Sequence, residues 1–156
     1  HLIESVLIPV AKDNRFTVCV SSQVGCSLTC SFCATGKMKR VRNLEPGEIY
    51  DQVVEVNKQA LETFDTPLSN IVFMGMGEPL LAYKNVLRSI ELITSEDGLN
   101  MSPRRITVST AGIAKMIRHC APISESAPKR SIIPLEHAKW VMMIWPSWMT
   151  ASAFTA

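Results

Sequence analysis

Strand-like and helix-like stretches alternate along this chain, and the alternation limits the folds that it can adopt. Residues 15–21, 70–74 and 105–109 are apolar and rich in β-branched side chains, as strands are. Residues 46–62 and 83–94 repeat apolar side chains at the three- and four-residue spacing of an amphipathic helix. Strands that alternate with helices form βα units around a parallel sheet. The sequence therefore predicts an α/β fold.

Polar or glycine-rich turns follow all three strands, at residues 21–33, 75–79 and 109–112. The carboxyl ends of parallel strands share one edge of the sheet, where α/β proteins place their chemistry. We therefore expect one site built from all three turns. Residues 2–10 are also β-rich, and the turn pair Asp13 and Asn14 separates them from the first strand. This pattern predicts a hairpin that leads into the first turn.

The first turn contains three cysteines, Cys26, Cys30 and Cys33, in the spacing C-x3-C-x2-C. A structural zinc ion takes four protein ligands, whereas three thiolates suit a [4Fe-4S] cluster that keeps one iron open. A zinc site completed by His119 or Cys120 is the alternative. Five cysteines are an odd number, which argues against a framework made only of disulfides. A reducing cytoplasm is the expected compartment.

Four stretches together carry a resemblance that extends over residues 2–118: 18–26, the cysteine turn, Met-Gly-Met-Gly-Glu-Pro-Leu-Leu at 74–81, and 104–112. They resemble the RlmN/Cfr family of radical-SAM RNA adenine methyltransferases, and its RlmN branch most closely. The resemblance implies a radical-SAM partial (β/α) barrel, which would be incomplete here. It implies methylation of adenine C2 in 23S rRNA, and in tRNA as well, by way of a 5′-deoxyadenosyl radical.

The resemblance also implies roles for individual residues. Cys26, Cys30 and Cys33 would ligate the [4Fe-4S] cluster, whose open iron would hold S-adenosyl-L-methionine (SAM). Gly77 and Glu78 match the SAM-binding turn, where a carboxylate or a carbonyl can hold the SAM ammonium group, and glycine allows the backbone to come close.

Three further residues match functional positions of the family. Ser109 matches another SAM contact, although a serine at a strand end is most often a turn residue. Cys19 matches the cysteine that resolves a covalent enzyme–RNA intermediate as a thiolate, and a buried apolar role is its ordinary alternative. Glu4 matches the proposed proton acceptor, where an exposed strand carboxylate is the simpler interpretation.

Four cations lie close together after the cysteine turn: Lys37, Lys39, Arg40 and Arg42. They are either a solvated face or a patch that contacts RNA phosphates, to which Arg104 and Arg105 would add. The family's reducing partner would be a flavodoxin-type protein. No run of 18 apolar residues occurs, so no membrane span is expected.

The resemblance stops near Arg118, and residues 119–156 show no clear helical or strand period. We therefore predict a radical-SAM core at 1–118, truncated at both ends, and a divergent tail at 119–156. Cys120 lacks the context of the family's S-methylated carrier cysteine, so we expect little or no RNA methylation by this piece alone. Other interpretations are C8 methylation, an activase of a glycyl-radical protein, and a metal-binding remnant without activity.

Overall fold

A five-stranded sheet forms the centre of the fold in a computed structural model of the chain. The structure describes residues 1–10, 15–113 and 115–116, and the backbone alone of 139–142. The strands of this sheet are, in chain order, β1 (Val6–Val10), β2 (Arg15–Cys19), β5 (Asn70–Phe73), β6 (Ile106–Thr110) and β7 (Lys139–Met142). Two short strands, β3 (Gln23–Val24) and β4 (Arg42–Asn43), form a separate antiparallel pair.

The spatial order of the sheet is β1-β2-β5-β6-β7. β1 runs antiparallel to β2, and the remaining neighbours are parallel. This arrangement confirms the predicted parallel sheet and the hairpin, whose turn at Asp13 and Asn14 lies outside the described residues. Because β2, β5 and β6 run in the same direction, the turns that follow them leave the same edge of the sheet.

Two helices, α1 (Pro46–Phe64) and α2 (Tyr83–Thr94), pack against one face of the sheet. That face presents alternate residues of β2, β5 and β6, among them Val18, Ile71 and Val108, all with no exposed surface. Burying an aliphatic side chain of this size stabilises the folded state by about 1.5–3 kcal/mol. The residues between them, including Cys19 and Ser109, point to the opposite face and are half-buried.

Local signals explain where α1 begins and ends. The side chains of Glu45 and Glu48 form a reciprocal capping box, and Pro46 occupies the first turn, where its missing N–H costs nothing. The helix ends at Asp65, which adopts a left-handed conformation with φ of 50°. The predicted buried stripe of α1 is confirmed, since Ile49, Val53, Val56 and Ala60 are all buried.

The other predicted helices and strands agree with the structure to within two residues, except that β1 begins at Val6, four residues after the start of the predicted β-rich stretch at 2–10. A second exception is the end of the chain: β7 lies within residues 119–156, where the sequence shows no strand period, and it pairs with β6. The predicted helix near 114–118 falls mostly outside the described residues, and the boundary at 118 stays a prediction. None of the helices in the described ranges combines the length and the apolarity that crossing a bilayer requires.

Candidate cofactor site

The cysteine turn is closed at its base by backbone pairing. β3 and β4 pair across it, and Cys26 forms a further bridge with Lys39. Gly25 makes this closure possible because its φ is +72° and a β-carbon on it would lie 2.2 Å from the carbonyl oxygen of Lys39. The turn is therefore a closed loop held at both ends, even though its middle contains little regular structure.

The three cysteines of this loop are free thiols of intermediate burial. The N–H of Leu28 donates to Sγ of Cys26 over 3.3 Å. The N–H of Cys33 donates to the carbonyl of Cys30 over 3.1 Å, which brings those two residues into one tight turn. Partial exposure and freedom from disulfides are the conditions that a cysteine needs to bind a metal cluster.

The residues predicted to bind the cluster and SAM meet at a common cavity, although they come from three separate turns. The cavity has a volume of about 220 Å³ and is lined by all six: Cys26, Cys30, Cys33, Gly77, Glu78 and Ser109. The parallel strands bring these turns together at their carboxyl ends. The structure thus supports the expectation of one site at this edge, while the individual roles stay predictions.

The cysteines influence one another electrostatically. Burial raises the pKa of the Cys26 thiol, the Leu28 N–H opposes this effect, and negative charge on Cys30, Cys33 and Glu78 raises the pKa further. With the side chains as they stand, no three His, Cys, Asp or Glu residues of the described ranges converge as metal ligands. The donor set nonetheless fits an iron–sulfur cluster chemically, because three free thiols line one cavity.

The carboxylate of Glu78 is hydrogen-bonded by donors of the protein itself. The Glu78 side chain is 4% exposed and already accepts hydrogen bonds from three groups of the protein: the hydroxyl of Thr110, the N–H of Leu80 and the N–H of Ala111. We expected either the carboxylate of Glu78 or a backbone carbonyl of this turn to hold an ammonium ion. The carboxylate is already hydrogen-bonded within the protein, which leaves the backbone carbonyls of the turn.

Cys19 and Glu4 lie near the cavity but are not part of its lining. Cys19 ends β2, where it pairs with Val6 of β1. Glu4 precedes β1 and is exposed, and its carbonyl accepts the hydroxyl of Ser21 over 2.7 Å. Both residues therefore lie at the edge of the sheet that carries the cavity. Burial raises the pKa of the Cys19 thiol, and the N–H of Met74, which lines the cavity, partly offsets that rise.

Buried polar side chains behind the cavity were missed by reasoning from the sequence. Gln23 has no exposed surface, and its Oε1 accepts the N–H of Glu78 over 2.9 Å. The hydroxyl of Ser21 accepts the N–H of Met76 over 2.8 Å. Gln52 of α1 accepts the N–H of Ser21 over 2.9 Å. These residues support residues 75–79, which we call the glycine turn, from the first turn and from α1. No local sequence pattern distinguishes them.

Two of the four cations that follow the cysteine loop, Arg40 and Arg42, already bind other side chains. Arg42 forms a bidentate pair with Glu48, with N–O distances of 2.6 and 2.8 Å. Arg40 donates to the side chain of Asn43 over 3.0 Å. Lys37 and Lys39 are exposed beside the loop. A phosphate-contacting patch would therefore depend on Lys37, Lys39 and Arg40 more than on Arg42.

The chain is similar in sequence to a known protein family and to individual proteins. A model of the radical SAM superfamily matches residues 20–140. The probable dual-specificity RNA methyltransferase RlmN of Flavobacterium psychrophilum is 62% identical over 120 residues, which make up 77% of this chain and 34% of that protein. The dual-specificity RNA methyltransferase RlmN of an Anaeromyxobacter species is 47% identical over 138 residues, 86% of this chain and 35% of that protein.

A solved structure is similar over most of the fold. It is a radical SAM methyltransferase from Sphaerobacter thermophilus, with a TM-score of 0.76 and 41% sequence identity, and the match covers 90% of this chain and 37% of that chain. This chain therefore spans about a third of the length of the relatives that it matches.

Proposed function

The chain belongs to the radical SAM superfamily, and from this we propose that it carries the cluster- and SAM-binding part of an RNA adenine methyltransferase. The observation that carries the proposal is the cavity, which joins the three cysteines to Gly77 and Ser109. The sheet and its two helices would form a segment of a partial (β/α) barrel.

Cys26, Cys30 and Cys33 would hold a [4Fe-4S] cluster through their thiolates. Gly77, Glu78 and Ser109 would shape the pocket for SAM. Together the bound cluster and SAM supply one-electron chemistry, which can functionalise a carbon that polar methyl transfer does not reach. The cavity lies at the carboxyl edge of the sheet, where α/β proteins bind their substrates, and a substrate base would meet the cofactors there.

The proposed substrate is an adenine of 23S rRNA, methylated at C2, with tRNA as a second substrate. The names of the relatives support RNA as the substrate class and two kinds of substrate, because they are called dual-specificity RNA methyltransferases. Lys37, Lys39 and Arg40 would contact phosphates, which attract cations whatever the base sequence. Cys19 would act as the resolving thiolate and Glu4 as the proton acceptor, and a flavodoxin-type protein would supply electrons.

Anaerobic reconstitution with iron and sulfide tests the first step. We expect about four irons per chain, by the stoichiometry of the cluster, and an electron paramagnetic resonance signal of the reduced protein that changes when SAM is added. Cys30→Ser should lose the iron, whereas Cys19→Ser should keep it, because Cys19 does not line the cavity. Stoichiometric zinc, or equal iron in both variants, would contradict the proposal.

The product identifies the reaction. Incubation of the reduced protein with SAM and an rRNA fragment, followed by mass spectrometry of nucleosides, separates 2-methyladenosine from 8-methyladenosine. Protein that binds the cluster and SAM but modifies no RNA would limit the function of this chain to cofactor binding. Transfer of hydrogen from a glycine of another protein would instead identify an activase.

A further inference from the structure

The carboxylate of Glu78 is enclosed by donors from two different turns. Its Oε1 accepts the Thr110 hydroxyl over 2.6 Å and the Leu80 N–H over 3.0 Å, and its Oε2 accepts the Ala111 N–H over 2.8 Å. We call these four residues the Glu78 clamp. The clamp joins the turn after β5 to the end of β6, and both turns line the cavity.

Burial makes the clamp hard to open. A buried carboxylate is costly unless hydrogen bonds satisfy it, and an ionised carboxylate offers about four acceptor positions. Three of these positions are filled by the protein. If Glu78 turned toward a ligand, it would leave two backbone N–H groups and a hydroxyl without their partner, which is unfavourable away from water.

Gln23 fixes the same turn from the other side. Its Oε1 accepts the Glu78 N–H, and its Nε2 donates to Asn43 over 2.7 Å. The carbonyl of Met76 accepts the N–H groups of Ser22 and Gln23. The turn is therefore held from the first turn, by Ser22 and Gln23, and from the end of β6, by the clamp. Gly75 and Gly77 are the residues of the turn whose backbone reaches the cavity without a side chain.

Thr110 is the member of the clamp that donates through its side chain, whereas Leu80 and Ala111 donate through backbone N–H groups. Its hydroxyl donates to Glu78 and accepts the N–H of Gly112 over 3.0 Å, so its donor and one of its two acceptor positions are used. Thr110 is 5% exposed and lies at the end of β6, next to Ser109. A hydroxyl at this position thus sets the geometry of two turns at once.

We infer that Thr110 is a positioning residue for SAM, which holds the Glu78 carboxylate inside the protein so that the backbone at Gly77, rather than that carboxylate, meets the SAM ammonium group. The inference rests on the proposed function. It assigns Glu78 a supporting role, with its negative charge close to the site but its oxygens bonded to the protein. It also adds a residue that the sequence did not identify.

Affinity for SAM, measured on the reconstituted protein, tests this assignment. Thr110→Val removes the hydroxyl at nearly constant volume, and we expect SAM to bind at least about tenfold more weakly, or 1.4 kcal/mol, while iron content stays unchanged. Thr110→Ser keeps the hydroxyl and should bind within about threefold of wild type. Thr94→Val is the matched control, because among the residues that the structure describes the Thr94 hydroxyl bonds only within α2, to Ile90 and Glu91.

A double-mutant cycle separates positioning from direct contact. Under positioning, adding Thr110→Val to Glu78→Gln weakens SAM binding by no more than about twofold beyond Glu78→Gln alone, since both changes release the same clamp. Under direct contact of the carboxylate with SAM, Thr110→Val by itself leaves the affinity at the wild-type value. That second result would overturn the inference.

Two further outcomes have defined meanings. If Thr110→Val unfolds or loses iron, Thr110→Ala compared with Thr110→Ser replaces it, because both lack the methyl group and only serine keeps the hydroxyl. Equal affinities in that pair overturn the inference. If wild-type protein holds its cluster but shows no response to SAM, the proposed function fails and this inference fails with it. Normal SAM binding by every Thr110 variant overturns the inference alone.

Discussion

The side chain of Gln23 occupies the space beside Gly77 that a β-carbon would need. A β-carbon built on Gly77 would lie 2.5 Å from Cβ and 2.6 Å from Cγ of Gln23, and Gly77 has a φ of +97°. Gln23 is also the acceptor for the N–H of the next residue, Glu78. The glycine turn therefore takes its shape from a residue of the preceding turn in the sheet, 54 positions earlier along the chain by the numbering of the two residues.

Gly77→Ala should destabilise the fold and weaken SAM binding together. Both the positive φ and the contact with Gln23 oppose a methyl group, so we expect a loss of about 1–3 kcal/mol in the free energy of unfolding by urea. Gly47→Ala is the matched control. Apart from its chain neighbours and the backbone of its own helix, no atom of the described residues lies within 4 Å of a β-carbon on Gly47, in the first turn of α1. That change should be neutral or stabilising by up to about 1 kcal/mol. Equal effects of the two changes would contradict this interpretation.

Gln52→Glu should destabilise the network that supports the same turn. The Gln52 amide accepts hydrogen bonds from Ser5 and Ser21 and donates to the carbonyls of Ser21 and Glu48 over 3.1 and 3.2 Å. A carboxylate would face those two carbonyls with no hydrogen to donate. We expect a loss of about 1–3 kcal/mol in unfolding free energy near pH 7. The loss should shrink at lower pH, where the new carboxyl group is protonated.

Gln59→Glu introduces the same change on the exposed side of α1 and serves as the control. Since solvent hydrates its charge, we expect its unfolding free energy to stay within about 0.5 kcal/mol of wild type. If Gln52→Glu behaved like Gln59→Glu, Gln52 would not be the buried hydrogen-bonding partner that the structure describes.

Local patterns were sufficient to predict α1, α2, the strands β2, β5 and β6, and the edge that carries the cavity. The apolar spacing of α1 depends only on its own residues, as does the short apolar run of β5. β7 was not predicted, because it lies in a stretch of the sequence that shows no clear strand or helix period. A strand there depends on the free backbone edge of β6, which is a tertiary feature.

The cysteines and the glycine turn that line the cavity could be predicted from the sequence, but the residues that support them could not. Cysteine spacing and a glycine turn are local signals with a chemical meaning. Gln23 and Thr110 act through residues far away in sequence, 55 positions for the bond between Gln23 and Glu78 and 32 for that between Thr110 and Glu78. A buried glutamine or threonine has no distinctive spacing, so only the packed structure shows its partners.

The rate at which the Cys19 thiol is alkylated should keep increasing with pH up to an unusually high pH. Because burial raises the pKa of its thiol above the ordinary value of 9.0, little thiolate is present at neutral pH. We expect the rate of alkylation by iodoacetamide to rise about tenfold per pH unit and to continue rising above pH 9, as mass spectrometry of the Cys19 peptide would show. The urea-unfolded chain provides the comparison, and its rate should level off at a lower pH. A plateau below pH 9 in the folded chain would contradict the prediction.

Glu48 should make stability depend on pH in the acid range. Its hydrogen bonds from Arg42, and then from the N–H of Glu45, lower its pKa from 4.5 to about 2. A lowered pKa in the folded state favours folding above the unfolded value, and this contribution is lost as pH falls from 4.5 toward about 2. The advantage of wild type over Glu48→Gln in the urea midpoint should therefore narrow across this window. It should also be small and reduced by salt, because both side chains are more than a third exposed.

Glu62→Gln removes another exposed carboxylate from α1 and controls for net charge. It should not reproduce the narrowing seen with Glu48→Gln, because the shift depends on the bidentate contact with Arg42 rather than on total charge. If both variants showed the same pH profile, the effect would come from overall charge, and the pair of Arg42 and Glu48 would contribute nothing specific to the start of α1.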